Sequence, residues 1–234
     1  MLGAACGDTT VDLLNPDVGL LAHWALDETD LGATVLDSSG FTLAGTPSAN
    51  PPVPVTDVPP VRFTDPRSLS FNGQDQWVLL GNPVLLNAGG PISVAAWIRP
   101  TSIDGYRDIL GHGYRNAPDR ELALRINGNK YVFIYWDGVD HAASADIPAA
   151  DVGTWVHLCG VFAPDGYHLF RNGELVATNS DTTSPPPNID APWGLGASAT
   201  PSTGPDRFMQ GNIDDVRVYG RALGAAEVET LYRR

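Results

Sequence analysis

Two aspartates stand side by side in GNIDDVRVYGRAL, residues 211–223, a stretch with the apolar alternation of a β-strand. Strands are depleted in Asp, so Asp214 and Asp215 have three readings: a catalytic pair, a metal site or solvated charge. Glycosidic cleavage needs two carboxyl groups flanking the bond, about 5–9.5 Å apart. Adjacent residues of a strand point to opposite faces, so these two cannot readily flank one bond. The chain holds five Glu, at positions 28, 121, 174, 227 and 229, and the only closely spaced pair, Glu227 and Glu229, lies in the terminal helical stretch. No interior strand carries paired acids along its own sequence, and a nucleophile elbow, a phosphate loop and a His-Glu-x-x-His are absent. Catalysis is therefore not expected, and a glycoside hydrolase is the third reading of function. Asp214 is in phase with Val216 and Val218, which points it at the core. A buried ionised carboxylate is costly unless paired or metal-bound. Asp215 is in phase with Arg217 and is expected to pair with it.

The elements that must hold these residues are short strands. The chain has 234 residues, 43% of them apolar, with 25 Gly and 20 Pro. That fits one large all-β domain with many turns. Lys and Arg total 14 against 27 acids, a formal charge of −13, and Lys130 is the single lysine. Such a surface repels nucleic acid and anionic membranes. No stretch is apolar enough for a transmembrane segment. Residues 1–17 read as a leader. MLGAAC resembles the end of a bacterial lipoprotein signal with Cys6 as the lipidation site; the alternative is a disordered leader with an incidental cysteine. Residues 18–234 form the domain. With Cys159 in an apolar run, no disulfide framework is expected.

GLLAHWALDE (19–28) reads as a first strand with Trp24 and Leu26 on one face and His23 and Asp27 on the other. The Pro-rich segment 46–66 cannot be a central strand. Residues 121–138 and 167–179 read as hairpins, with Asn-Gly at or near their turns. The segment 154–162 is nearly continuous apolar sequence, so both its faces should be covered. Residues 224–234 form a helix, with Glu early and Arg late to suit its dipole. Many short strands and one terminal helix indicate a β-sandwich. Tyr131, Phe133 and Tyr135 alternate in one strand. They read as core or, if exposed, as a platform for the apolar C–H faces of a sugar. The polar loop 111–120 adds His112, Tyr114, Arg115 and Arg120, and Trp136 borders the next turn. These, with Tyr135, are the ligand-contact candidates.

In order and spacing, LLAHWALDE, SLSFNGQDQWVLL, ISVAAWIRP, TWVHLCGVF with YHLFRNGELVA, and GNIDDVRVYGRALGAAEVETLY together resemble the laminin-G-like domains of the concanavalin-A-like lectin/glucanase superfamily. The likeness covers about residues 19–233. It implies a jelly-roll β-sandwich of two antiparallel sheets, with the first and last strands close together and a short C-terminal helix. It also implies an extracellular or cell-surface protein that binds a glycan or a surface protein, and a structural Ca²⁺. Ca²⁺ takes six to eight oxygens, carbonyls included. If the first and last strands are neighbours, Glu28 can approach Asp214. The family likeness adds the Gly73 carbonyl, with Asp27 and Asp37 in reserve. The alternative is that Asp214 accepts hydrogen bonds from backbone N–H or Arg. The leading expectation is a non-catalytic carbohydrate-binding module; a protein-adhesion domain is the alternative.

Overall fold

The computed structural model describes residues 15, 17–30, 32, 34–87, 89–113, 120–185, 190–199 and 204–234. Among these residues the elements are β1 (Leu20–Trp24), β2 (Thr46–Pro47), β3 (Val53–Val55), β4 (Ser68–Asn72), β5 (Val78–Gly81), β6 (Ile92–Pro100), β7 (Tyr106–Gly113), β8 (Glu121–Asn127), β9 (Lys130–Trp136), β10 (Asp140–Asp146), β11 (Val156–Ala163), β12 (Gly166–Arg171), β13 (Glu174–Asn179), β14 (Trp193–Leu195), β15 (Gln210–Tyr219) and α1 (Ala225–Arg233). They form two antiparallel sheets. The first runs β13-β12-β11-β6-β15-β4-β3, with β1 also paired to β15, and the second runs β10-β9-β8-β7-β14-β5-β2. This is the expected all-β sandwich with one short C-terminal helix. The Pro-rich segment supplies only β2 and β3, both at sheet edges, where a missing N–H does no harm.

Local chemistry sets the hairpins. Gly128 and Asn129 join β8 to β9, and Asn172 and Gly173 join β12 to β13; all four have positive φ. Two left-handed residues in succession match the twist of the flanking strands. Alternation then sorts the side chains. Val94, Ala96 and Ile98 of β6 meet Leu122, Leu124 and Ile126 of β8 and Tyr131, Phe133 and Tyr135 of β9 between the sheets. Tyr135 is thus a core residue at 3% exposure. The opposite face of β6 and β11 is covered as well: Ala95, Cys159 and Val161 pack with Val228 and Leu231 of α1. That explains why β11 is apolar but for His157. A nine-residue helix is too short to persist alone, and this packing holds it. Its N-terminus is closed by the Gly224 N–H, which donates to Glu227 at 2.8 Å.

The last strand is irregular where it matters. β15 pairs with β6 along one side. Along the other, Gln210–Ile213 pair with β4, while Val216–Tyr219 pair with β1. Asp214 and Asp215 fall in the gap between β4 and β1. The register with β6 shifts there: Asp214 pairs with Trp97 but Arg217 pairs with Ala95, and Asp215 has φ 45°. One extra residue is accommodated as a β-bulge. The expected phasing of Asp214 with Val216 and Val218 is therefore corrected. Asp214 shares the face of Trp97, whose ring meets His157 and Tyr232 on the helix side. Val216 and Val218 return to the main core.

Candidate functional site

The bulge collects carboxylates. Asp215 accepts hydrogen bonds from Arg217 Nη2 at 2.8 Å and Nε at 3.1 Å, and its Oδ1 lies 2.6 Å from His23 Nε2. Burial pushes its pKa up, but His23 and Arg217 hold it far below the usual carboxylate range. Asp214 has no such cation. Its Oδ1 accepts the Asp215 N–H at 2.8 Å, and its Oδ2 meets no donor among the described residues. Burial and the neighbouring Asp65 push the Asp214 carboxyl up to about 10. Asp65 also has an orphaned oxygen, and burial with the charges of Asp27 and Asp215 pushes it to about 7. Asp27 is raised by burial and receives the Arg67 N–H. The donors at this centre are all oxygen, as a hard cation requires. Among the described residues no three His, Cys, Asp or Glu side chains converge on a single point. A cation here would complete its shell with carbonyls and water.

A second constellation lies on the outward face of the other sheet. Because Leu122, Leu124 and Ile126 take the core phase of β8, Glu121 and Arg125 point the other way. The cross-strand pairs are Glu121 with Trp136 and Arg125 with Asp108. Arg125 Nη2 stands 2.5 Å from Glu121 and its Nε 3.4 Å from Asp108. Arg207 reaches Glu121 at 2.7 Å, and its guanidinium lies 5.1 Å from the centroid of the Tyr106 ring. Burial pushes Asp108 up to about 6 against the pull of Arg125. The result is a cleft of roughly 200 Å³ bounded by Tyr106, Glu121, Arg125, Trp136, Asp140 and Arg207. It places two aromatic rings beside a chain of charged hydrogen-bonding groups. That combination suits a ligand with an apolar face and several hydroxyls.

Residues 72–229 match the laminin-G-like family described as the concanavalin A-like lectin/glucanases superfamily. The chain belongs to this superfamily. No curated protein sequence matches it. Solved structures of similar fold include domain 4 of AbnA, an extracellular GH43 arabinanase from Geobacillus stearothermophilus, in complex with arabinotriose. That match has 20% identity, a TM-score of 0.62, and coverage of 92% of this chain and 98% of the other. The binding domain of Paraclostridial Mosquitocidal Protein 1 has 14% identity and a TM-score of 0.71, with 93% of this chain on 52% of that one. The binding domain of botulinum neurotoxin DC, in complex with SialylT, has 15% identity and a TM-score of 0.65, with the same coverages. The chain thus spans about half the length of the toxin binding domains it matches.

Within this lectin/glucanase sandwich, the residues expected from sequence scatter. Of the Ca²⁺ set, only Asp214 and Asp27 reach the bulge centre. Glu28 accepts the Leu36 N–H at 2.7 Å. Gly73 packs opposite Gln210, four residues along β15 from Asp214, or about 13 Å at strand rise. Asp37 organises a loop by accepting N–H groups of His23, Ser39 and Leu43, which lower its pKa against burial. Of the ligand candidates, Trp136 lines the cleft. Tyr135 stacks on His141 at 5.6 Å inside the sandwich, because its phase is that of Phe133. His112 is also interior, stacked on Trp193 at 4.4 Å and bonded to the Ala191 carbonyl. Arg120 is half-buried near Tyr135. Tyr114, Arg115 and Cys6 lie outside the described residues. Two features escaped sequence reading. Glu121 and Arg125 carry a usable signal, since both occupy the polar phase of ELALRIN. Asp65 carries none, being one acid in a Pro-rich loop.

Proposed function

We propose that this domain is a non-catalytic carbohydrate-binding module of an extracellular or surface protein, with its sugar site in the cleft over β8 and β9. The observation that carries this is Trp136 standing across from Glu121, itself held by Arg125 and Arg207. A pyranose or furanose ring offers C–H groups to the indole and hydroxyls to the charged groups. The arabinotriose complex of the arabinanase domain and the toxin binding domains support a sugar-binding role for the fold. Binding fits better than cleavage because Glu121 is bound to two guanidiniums and Asp108 is fully buried. Neither is free to serve as nucleophile or acid. A glycan array followed by calorimetry tests the reading. Trp136→Ala should weaken binding of a neutral oligosaccharide at least tenfold, about 1.4 kcal/mol. A module that binds no glycan is a protein-adhesion domain instead, and neutral-glycan binding unchanged in the Trp136→Ala variant would remove the site from this cleft.

A Ca²⁺ ion held by Asp214 and Asp65, with carbonyls and water completing its shell, is part of the same proposal, supported by their two orphaned carboxylate oxygens. Bound there, it would neutralise the acids and brace the gap between β1 and β4. Asp214 and Asp65 would hold it in place of protons. Lipidation of Cys6 as a surface anchor is likewise proposed, on the resemblance of MLGAAC to a lipoprotein signal.

A further inference from the structure

Three cavities adjoin on the helix side of the first sheet, away from the β8–β9 cleft. One, of roughly 550 Å³, runs from Asp17 and Phe41 to His23 and Arg217. The next, of roughly 370 Å³, shares His23, Arg217 and Arg234 with the first and continues to Arg62 and Phe63. The third, of roughly 160 Å³, shares Arg62 and ends between Trp97, Tyr232 and Arg233. Sharing these residues, the three cavities run on from one another. Four arginines line this groove in a chain whose net charge is −13.

The charges along the groove are unequally spent. Arg217 is bound to Asp215, and so is His23. Arg234 faces Asp17 at 3.4 Å, and Arg217 Nη1 is 3.7 Å from the same carboxylate. Arg233 is paired with Glu229. Asp27 also lines the second cavity, beside Asp65. Arg62 stands apart: its backbone N–H donates to the Arg234 carbonyl, while its guanidinium has no acid partner among the described residues. Most arginines of this acidic chain are neutralised, as Arg99, Arg125, Arg171 and Arg221 are. Arg62, unpaired with any acid among the described residues and shared by two of the cavities, has room in front of it. Phe63 at 40% exposure and Phe41 at 50% add apolar surface along the same groove.

We propose that this groove is a second binding site, for an acidic oligosaccharide whose carboxylate or sulfate pairs with Arg62. Guanidinium forks match the geometry of such oxyanions, and the phenyl rings take the sugar faces. The site is separate from the cleft at Trp136 and stands whether or not that cleft binds neutral sugar. The test is calorimetric titration of the folded domain and of its Trp136→Ala variant with a hexuronate trisaccharide and with a sulfated disaccharide, with a neutral trisaccharide on the Trp136→Ala variant as control. One acidic ligand should bind, and which one identifies the anion. Affinity should fall as salt rises, and Arg62→Gln should reduce it about tenfold. Phe63→Ala should weaken it, and Trp136→Ala should leave it unchanged. Arg62 is exposed, so its variant should retain the parent's melting temperature. Absence of binding by both acidic ligands, or equal binding by Arg62→Gln, overturns the proposal.

Discussion

His141 presents both ring nitrogens to carboxylates, Nδ1 to Asp181 at 2.6 Å and Nε2 to Asp137 at 3.1 Å. A ring can donate from both nitrogens only as imidazolium. Burial works against the charge, but the two aspartates outweigh it and raise the pKa above 6.5. The unfolded chain lacks these partners. The clasp therefore stabilises fully below about pH 6.5, and its contribution is lost as pH rises through the higher folded value. An NMR titration of His141 should show an elevated midpoint, and Asp181→Asn should bring it down; an unchanged midpoint in that variant would refute the assignment. Nothing in the sequence marks this pair, because Asp181 lies 40 residues away. By contrast, the Asp215–Arg217 pair was readable, since residues two apart share a strand face and each carries the opposite charge.

At the scale of elements, β15 shows how one residue changes a function reading. Strict alternation puts Asp214 in the main core. The bulge at Asp215 moves it to the helix side, where Asp65 and Asp27 gather and the gap between β4 and β1 leaves an oxygen without a donor. Packing of the two sheets is equally specific at Gly160 of β11, which pairs with Val94. A Cβ there would overlap the Phe133 ring of the facing sheet. Gly160→Ala should cost about 1–3 kcal/mol by overpacking, measured as a lower denaturant midpoint with an unchanged slope. A fully stable variant would mean that the sheets can separate freely at this point. The hairpins, the terminal helix and the apolar β11 were legible in the sequence. Their signals are local: Asn-Gly turns, charge order along a helix, and a nearly continuous hydrophobic run.

For the molecule as a whole, the carboxylates at the bulge link stability to pH and cation. The folded values of about 10 for Asp214 and about 7 for Asp65 both exceed the ordinary Asp value of about 3.9. The folded state therefore binds more protons than the unfolded one. Their contribution is complete below about pH 4 and is lost progressively as pH climbs through 7 and then 10. In chelator the melting temperature should accordingly be lower at pH 8 than at pH 5. Ca²⁺ should restore it at pH 8, by about 2–4 °C for each 1 kcal/mol of binding. Asp214→Asn should abolish that response. Equal melting with Ca²⁺ and with chelator at pH 8 would remove the cation from the account. Fold class, core faces and the lectin/glucanase resemblance could all be read from the chain, because alternation, turn chemistry and motif order are encoded along it. The sites could not. Glu121 meets Trp136 within one hairpin but meets Arg207, Asp214 meets Asp65, and Arg62 meets the groove only across strands and loops far apart in sequence. The bulge that sets one of these encounters follows from how β1 and β4 share an edge, a pairing decided by three-dimensional packing.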